Sequence, residues 1–140
     1  MRRPGFTILE LTLVLVVSAT LVALAVPRFA ALRDRSAVHA AMDELGSTFS
    51  AARQSAIARR AAAAVVFDTA GGTVDVRTGG RSLFKRPLGS LYGITLAANR
   101  DSAVYDPRGL GYGVSNLTVT VRRGRMVDTL TMSRLGRVRW

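Results

Sequence analysis

The sequence predicts an α+β fold: a long N-terminal helix, apolar in its first half and amphipathic in its second, packed on a C-terminal antiparallel β-sheet domain. Three observations predict it. No charged residue occurs from Leu11 to Pro27. From Phe29 to Ala56 apolar residues recur mostly three and four apart. Beyond Ala63 the pattern changes to alternation over short segments separated by glycine-rich turns.

The first element runs from Phe6 to Val26, 21 residues, or about 31 Å as a helix at 1.5 Å per residue. That length matches the hydrocarbon core of a bilayer. Arg2 and Arg3 stand before it and favour a cytoplasmic N-terminus, which sends the rest of the chain across the membrane. A conventional signal peptide is the rival, with Arg2 and Arg3 as its basic region and Ala23-Leu24-Ala25 as a small-residue cleavage site. Its product would be a secreted basic domain beginning at Val26. A twin-arginine export signal fits poorly, because Pro4 and Gly5 follow the arginine pair directly. A plain anchor does not explain Glu10, since a carboxylate within an apolar span weakens insertion by roughly 3 kcal/mol.

The stretch from Gly5 through Phe6 and Glu10 to Val17, GFTILELTLVLVV, resembles the class III signal of type IV pilins and type II secretion pseudopilins. The resemblance rests on a short basic leader, Gly-Phe, an acid at fixed spacing and an uninterrupted apolar run. It implies that a membrane-embedded prepilin peptidase cuts between Gly5 and Phe6, that Phe6 is then N-methylated, and that Glu10 is the family's assembly acid. It further implies other pilin or pseudopilin subunits as partners, with the chain held once in the bacterial inner membrane and its head in the periplasm. The charges agree with this. Cleavage would create an ammonium on Phe6, and in a staggered bundle the Glu10 carboxylate of one subunit can neutralise the amine of the next.

The second element follows Pro27, where a helix can be kinked or interrupted. Phe29, Leu32, Val38, Met42, Leu45, Phe49, Ala52 and Ala56 form an apolar stripe, with Arg33, Asp34, Arg35, Asp43, Glu44, Arg53, Arg59 and Arg60 largely off it. The spacing predicts an amphipathic helix to about Ala63 whose alanine-rich stripe is core. His39, the single histidine, lies beside the stripe and has no catalytic or metal setting.

Seven strands are then expected: AAVVFD, GTVDVRT, RSLFKRP, GITLAA, SAVYD, NLTVTVRRG and MVDTLTMSR. Between them TAGG, TGG, GSLYG, NRD and DPRGLGYG read as turns, and Arg123-Gly124-Arg125 as a hairpin turn. The expectation is one sheet wrapped around the helix. The resulting organisation is a leader over residues 1–5, a transmembrane and assembly helix over 6–26, an amphipathic helix over 27–63 and a β-rich head over 64–140.

Catalytic constellations are missing. The chain has no cysteine and one histidine, and no paired metal-ligand or phosphate-loop motif. Gly109 to Gly113 is glycine-rich, but no helix is expected after it to bind a phosphate, so it reads as a turn. No cofactor, metal or enzymatic activity is expected.

The formal net charge is +11, carried by 19 arginines and one lysine against nine acids. From Arg108 onward seven arginines face one aspartate, which concentrates the excess in the last quarter. Arg137 and Arg139 alternate with Val138, so an extended tail would project both guanidinium groups to one side, with Trp140 beside them as a stacking surface. The whole chain resembles the GspH/FimT family of minor pilins and pseudopilins, and Gly136-Arg137-Val138-Arg139 matches the GRxR pattern of its DNA-binding members. That resemblance makes Arg137 and Arg139 candidate phosphate contacts, and the basic charge concentrated in the same region adds Arg122, Arg123 and Arg125 as candidate contacts to DNA. The plainer alternative is a terminal strand whose charges are simply solvated.

Overall fold

The computed structural model describes residue 5, residues 7–112 and residues 116–140. It divides into two units, Met1–Arg33 and Asp34–Trp140. Helix α1, Ile8–Arg59, contributes to both and contains Pro27 without interruption.

In the first unit the helix carries no charge on any face from Leu11 to Pro27. Its most apolar 18 residues have a mean hydropathy of 2.4 and none is buried, so it is long and apolar enough to cross a membrane. The hydroxyls of Thr12 and Thr20 donate to the carbonyls of Leu9 and Val16 at 2.9 and 2.8 Å, so they need no partner outside the helix. Phe29 and Leu32, expected on the amphipathic stripe, are exposed here. The stripe that packs on the head begins at Val38 and continues through Ala41, Met42, Leu45, Phe49, Ala52 and Ala56.

The helix ends at Arg59, short of the expected Ala63. Arg60 takes a left-handed conformation, φ 50°, and the amide of Ala61 returns to the carbonyl of Ala56 at 3.2 Å. This six-to-one closure satisfies a terminal carbonyl and stops the helix.

The head holds two antiparallel sheets and not the single one expected. The first has the order β3-β2-β1-β5-β6, comprising β1 Ala63–Asp68, β2 Thr73–Thr78, β3 Arg81–Arg86, β5 Ser102–Tyr105 and β6 Gly111–Tyr112. The second has the order β4-β7-β8-β9, comprising β4 Thr95–Ala98, β7 Leu117–Arg123, β8 Met126–Met132 and β9 Val138–Arg139. All seven expected segments form strands, and the two-residue β6 and β9 add to them. GSLYG is not a plain turn. Its first four residues belong to α2, Leu88–Tyr92, which buries Leu88 and is capped by its last, Gly93, with φ 63°. The chain then changes sheets, pairing β4 with β7.

The inner faces of both sheets meet the helix in one core. Val65, Phe67, Val74, Val76 and Tyr105 from the first sheet join Leu96, Leu117, Val119, Val121, Leu130 and Met132 from the second. Phe49 contacts Phe67 with ring centroids 6.0 Å apart. The Gly79-Gly80 hairpin has positive φ at both residues, 57° and 79°, as the twist of a two-residue turn requires.

Candidate functional site

Glu10 sits in the first turn of α1 and is exposed. Its amide donates to Oγ1 of Thr7 at 3.2 Å. Thr7 is therefore the N-cap and Glu10 the third helical residue, the Thr-x-x-Glu arrangement of a capping box. A carboxylate there also complements the positive end of the helix dipole. The Thr7-Ile8-Leu9-Glu10 spacing is legible in the sequence itself. Gly5 is exposed immediately before this turn. Phe6, the expected cleavage and methylation residue, lies outside the described residues, as do Arg2, Arg3, Pro4 and Gly113.

The second sheet determines where the candidate arginines point. Leu117, Val119 and Val121 of β7, with Leu130 and Met132 of β8, face the core. The alternate residues Thr118, Thr120 and Arg122, with Val127, Thr129 and Thr131, therefore form the outer face. Register places Thr118 opposite Thr131, Thr120 opposite Thr129 and Arg122 opposite Val127. Arg139 pairs with Thr131, and Val138 with Met132. Arg139 thus shares the outer face with Arg122, and the two rows are roughly 13 Å apart along β8, with threonines between them. A recess of about 520 Å³ at the Arg139 end is bordered by Thr118, Thr131, Ser133, Leu135, Arg137 and Arg139.

The structure does not gather all five arginines. Arg125 is exposed in the β7–β8 turn. Arg123 faces the other way. Its Nε lies 3.0 Å from Oδ1 of Asp34 on α1, and its Nη1 donates to the carbonyl of Tyr92 in α2. It fastens three elements of the head together and is only 23% exposed.

The Ser133–Arg137 turn presents the terminal arginines. Ser133 donates its amide to the Arg137 carbonyl at 2.8 Å, and Gly136 donates to the Ser133 carbonyl at 2.9 Å. Gly136 has φ 75°, and a Cβ there would stand 2.9 Å from Cε1 of Tyr105 and 3.0 Å from the amide nitrogen of Gly111. The glycine of the Gly-Arg pattern is thus required by backbone shape and close approach. Tyr105 is buried beneath this turn and donates its hydroxyl to the Gly136 carbonyl at 3.4 Å. Burial pushes its phenol up to about 12, against the opposing charge of Arg53.

Arg53 lies off the apolar stripe of α1, and nothing in its local spacing marks it. It borders a second recess, about 380 Å³, with Tyr105, Gly136, Arg137, Arg139 and Trp140. Among the described residues Arg53, Arg137 and Arg139 have no carboxylate within ion-pair distance, whereas Arg77, Arg86, Arg108 and Arg123 do. No group of three or more His, Cys, Asp or Glu residues positioned to hold a metal occurs among the described residues. Asp106 serves its own loop: amides of Leu110 and Arg108 donate to Oδ1, both at 2.9 Å. These bonds, with that from the Arg108 side chain, hold its carboxyl below the usual range.

The fold is that of the type IV pilins. The chain is similar to the type IV minor pilin FimU of Pseudomonas aeruginosa, solved in two crystal forms. One matches with a TM-score of 0.63 at 18% identity, covering 75% of this chain and 88% of that one. The other matches with a TM-score of 0.60 at 16% identity, covering 73% and 90%. No protein-family model matches the sequence, and no curated protein matches it. The likeness is one of fold: a long N-terminal helix packed on antiparallel sheets.

Proposed function

We propose that the chain is a minor pilin-like subunit, processed between Gly5 and Phe6, methylated on Phe6 and assembled through α1 into a type IV pilus or a type II secretion pseudopilus. The observation that carries this reading is the union of a pilin-like head with a helix whose first 26 residues, Ile8–Arg33, bury almost nothing within the chain. A helical run with no charge on any face needs another solvent, and lipid and neighbouring helices both supply one. In this reading residues 1–5 are a leader, 6–26 the membrane and assembly helix, 27–63 its amphipathic continuation and 64–140 a periplasmic head. Partners are other pilin subunits and the peptidase and methyltransferase that process the N-terminus.

Intact mass of the protein extracted from bacterial envelopes tests the processing. A chain beginning at methylated Phe6 supports it, and one beginning at Val26 means a secreted domain and overturns it. Co-purification with sheared filaments then tests assembly.

A second reading is DNA binding by the head, and one arrangement favours it. Arg122 and Arg139 share the hydroxyl-bearing outer face of the second sheet, and Arg137 borders the same recess as Arg139. Guanidinium and threonine hydroxyl groups both donate to phosphate oxygens, so this face suits a polyanion in any sequence. Affinity that falls steeply with salt and is lost in the Arg137→Ala/Arg139→Ala variant is the expected result. Unchanged affinity in that variant removes the reading.

A further inference from the structure

The β7–β8 hairpin turns at one end of the head and opens toward the other. Its open end lies by the loop that packs on the close of α1: a Cβ on Gly111 would stand 3.2 Å from Cε of Met132, and one on Gly109 2.8 Å from Cδ1 of Ile57. Its turn lies at the start of the head, where a Cβ on Gly124 would stand 2.5 Å from Oδ2 of Asp34. The arginines divide between these ends. Arg137 and Arg139 border the recess at the open end. Arg122 and Arg125 flank the turn, and Arg35 follows the aspartate that the turn touches. These last three are exposed and have no carboxylate within ion-pair distance among the described residues. Arg35 has only a 3.5 Å contact with Nε2 of His39. Asp34 is taken by Arg123 at 3.0 Å, and Asp128 alternates to the face of β8 opposite Val127. The charge left at this end is positive, and the exposed side chains of Leu91 and Val127 lie among the cations.

This is also the end that the chain cannot carry far from a membrane. Asp34 follows Val26, the last residue of the apolar run, by eight positions, a rise of about 12 Å in a helix. The headgroup layer occupies about 5–8 Å of that, which leaves the cations within one screening length, about 8 Å, of lipid phosphate. We propose that this end of the head docks on anionic phospholipid headgroups of the bilayer that α1 spans, with Arg35, Arg122 and Arg125 on the phosphates and Leu91 and Val127 at the interface. Guanidinium groups interspersed with exposed apolar side chains suit such a surface, where charge attraction and apolar burial act together. The inference rests on the reading of α1 as a membrane span. Arg137 and Arg139, at the open end of the hairpin, take no part in it. The contact holds the head down while the helix is in lipid and breaks when the subunit leaves for a filament.

The test uses the full-length protein in vesicles of phosphatidylcholine, alone or mixed equally with phosphatidylglycerol. The chain has no cysteine, so Ser90→Cys places a single dye beside Leu91, and Ala62→Cys places one beyond the close of the helix. Both positions are exposed. Quenching by a nitroxide carried on lipid headgroups reads proximity to the surface. The dye at residue 90 is expected to be quenched more in the anionic vesicles, with the excess disappearing at high salt, while the dye at residue 62 responds equally to both. Arg35→Ala and Arg125→Ala should each lower the ratio of docked to undocked heads about fivefold, and Arg81→Ala, on an edge strand of the other sheet, should leave it unchanged. Equal quenching at residue 90 in both vesicles, or an excess that survives the Arg35→Ala/Arg125→Ala pair, overturns the docking surface and leaves the reading of α1 as a span standing. An excess shared alike by both dyes is general charge attraction and also overturns it. A chain that alkaline carbonate washes off the vesicles overturns the span and the docking surface together.

Discussion

The indole of Trp140 occupies the place where a side chain on Gly46 would be: a Cβ there would stand 2.5 Å from Cη2. Gly46 is buried in the interior of α1, where alanine is ordinarily favoured over glycine by about 1 kcal/mol. The contact opposes that preference. Gly46→Ala must push the indole off its seat, and because the obstructing atoms are the outer edge of an exposed side chain the move is cheap. The expected outcome is a stability change within about 1 kcal/mol, a red-shifted Trp140 emission and freer quenching by acrylamide. Adding Trp140→Ala should convert Gly46→Ala into a stabilising change, because the obstacle is gone. A double-mutant cycle in urea measures this, and a coupling energy near zero would mean the seat is absent in solution.

Arg122 and Arg123 are neighbours in sequence with opposite duties. Arg122 is exposed on the outer face of the second sheet, whereas Arg123 is tied to Asp34 and to the Tyr92 carbonyl. Arg123→Ala should cost about 1–3 kcal/mol, the worth of hydrogen bonds to a charged group together with the partners left unpaired. It should leave DNA affinity within twofold. Arg123→Lys should recover little, since an ammonium lacks the planar fork that reaches both acceptors. Arg122→Ala should do the reverse, sparing the midpoint of thermal unfolding and weakening any DNA binding. Equal effects of the two substitutions on stability would contradict the assignment.

Much of the architecture is legible in the residue pattern, and its gaps have physical causes. Leu117, Val119 and Val121 alternate against Thr118, Thr120 and Arg122, so β7 and its two faces can be read directly. Gly79-Gly80 marks its turn. Two-residue strands such as Val138–Arg139 are too short for any period. Phe29 and Leu32 continue the apolar spacing of α1 but are exposed, because periodicity records that a face is apolar and not what covers it. In the candidate site the alternation of Arg137 and Arg139 was readable. The pairing of Arg123 with Asp34, 89 residues away, and the meeting of Arg53 with the C-terminal strand depend on tertiary packing that no local spacing encodes.

Glu10 has two physically distinct duties open to it, and one pair of substitutions separates them. As the third residue after the Thr7 cap it supports the helix start, a task glutamine performs as well. As a register acid it must carry charge to neutralise the Phe6 amine of a neighbouring subunit, a task glutamine cannot perform. Pairing predicts that Glu10→Gln and Glu10→Ala both insert in the membrane and both lose most incorporation into sheared filaments. Capping alone predicts that Glu10→Gln assembles as wild type while Glu10→Ala does not. Filament incorporation normalised to membrane-inserted protein decides between them.

Tyr105 gives the head a defined alkaline limit. Its phenol is pushed up to about 12 by burial, while in the unfolded chain it titrates near 10. Below pH 10 both states hold the proton and the stability is unaffected. Between about 10 and 12 the unfolded chain releases it and the folded chain does not, so stability falls with rising pH by about 1.4 kcal/mol per unit. The stabilisation is lost as pH passes through the folded value. Tyr105→Phe removes the titration and a hydrogen bond of only 3.4 Å to Gly136. It should therefore cost little at pH 8 yet flatten the decline above pH 10. Urea unfolding at pH 8, 10 and 11.5 measures the slope, and an equally steep decline in Tyr105→Phe would show that another group sets the limit.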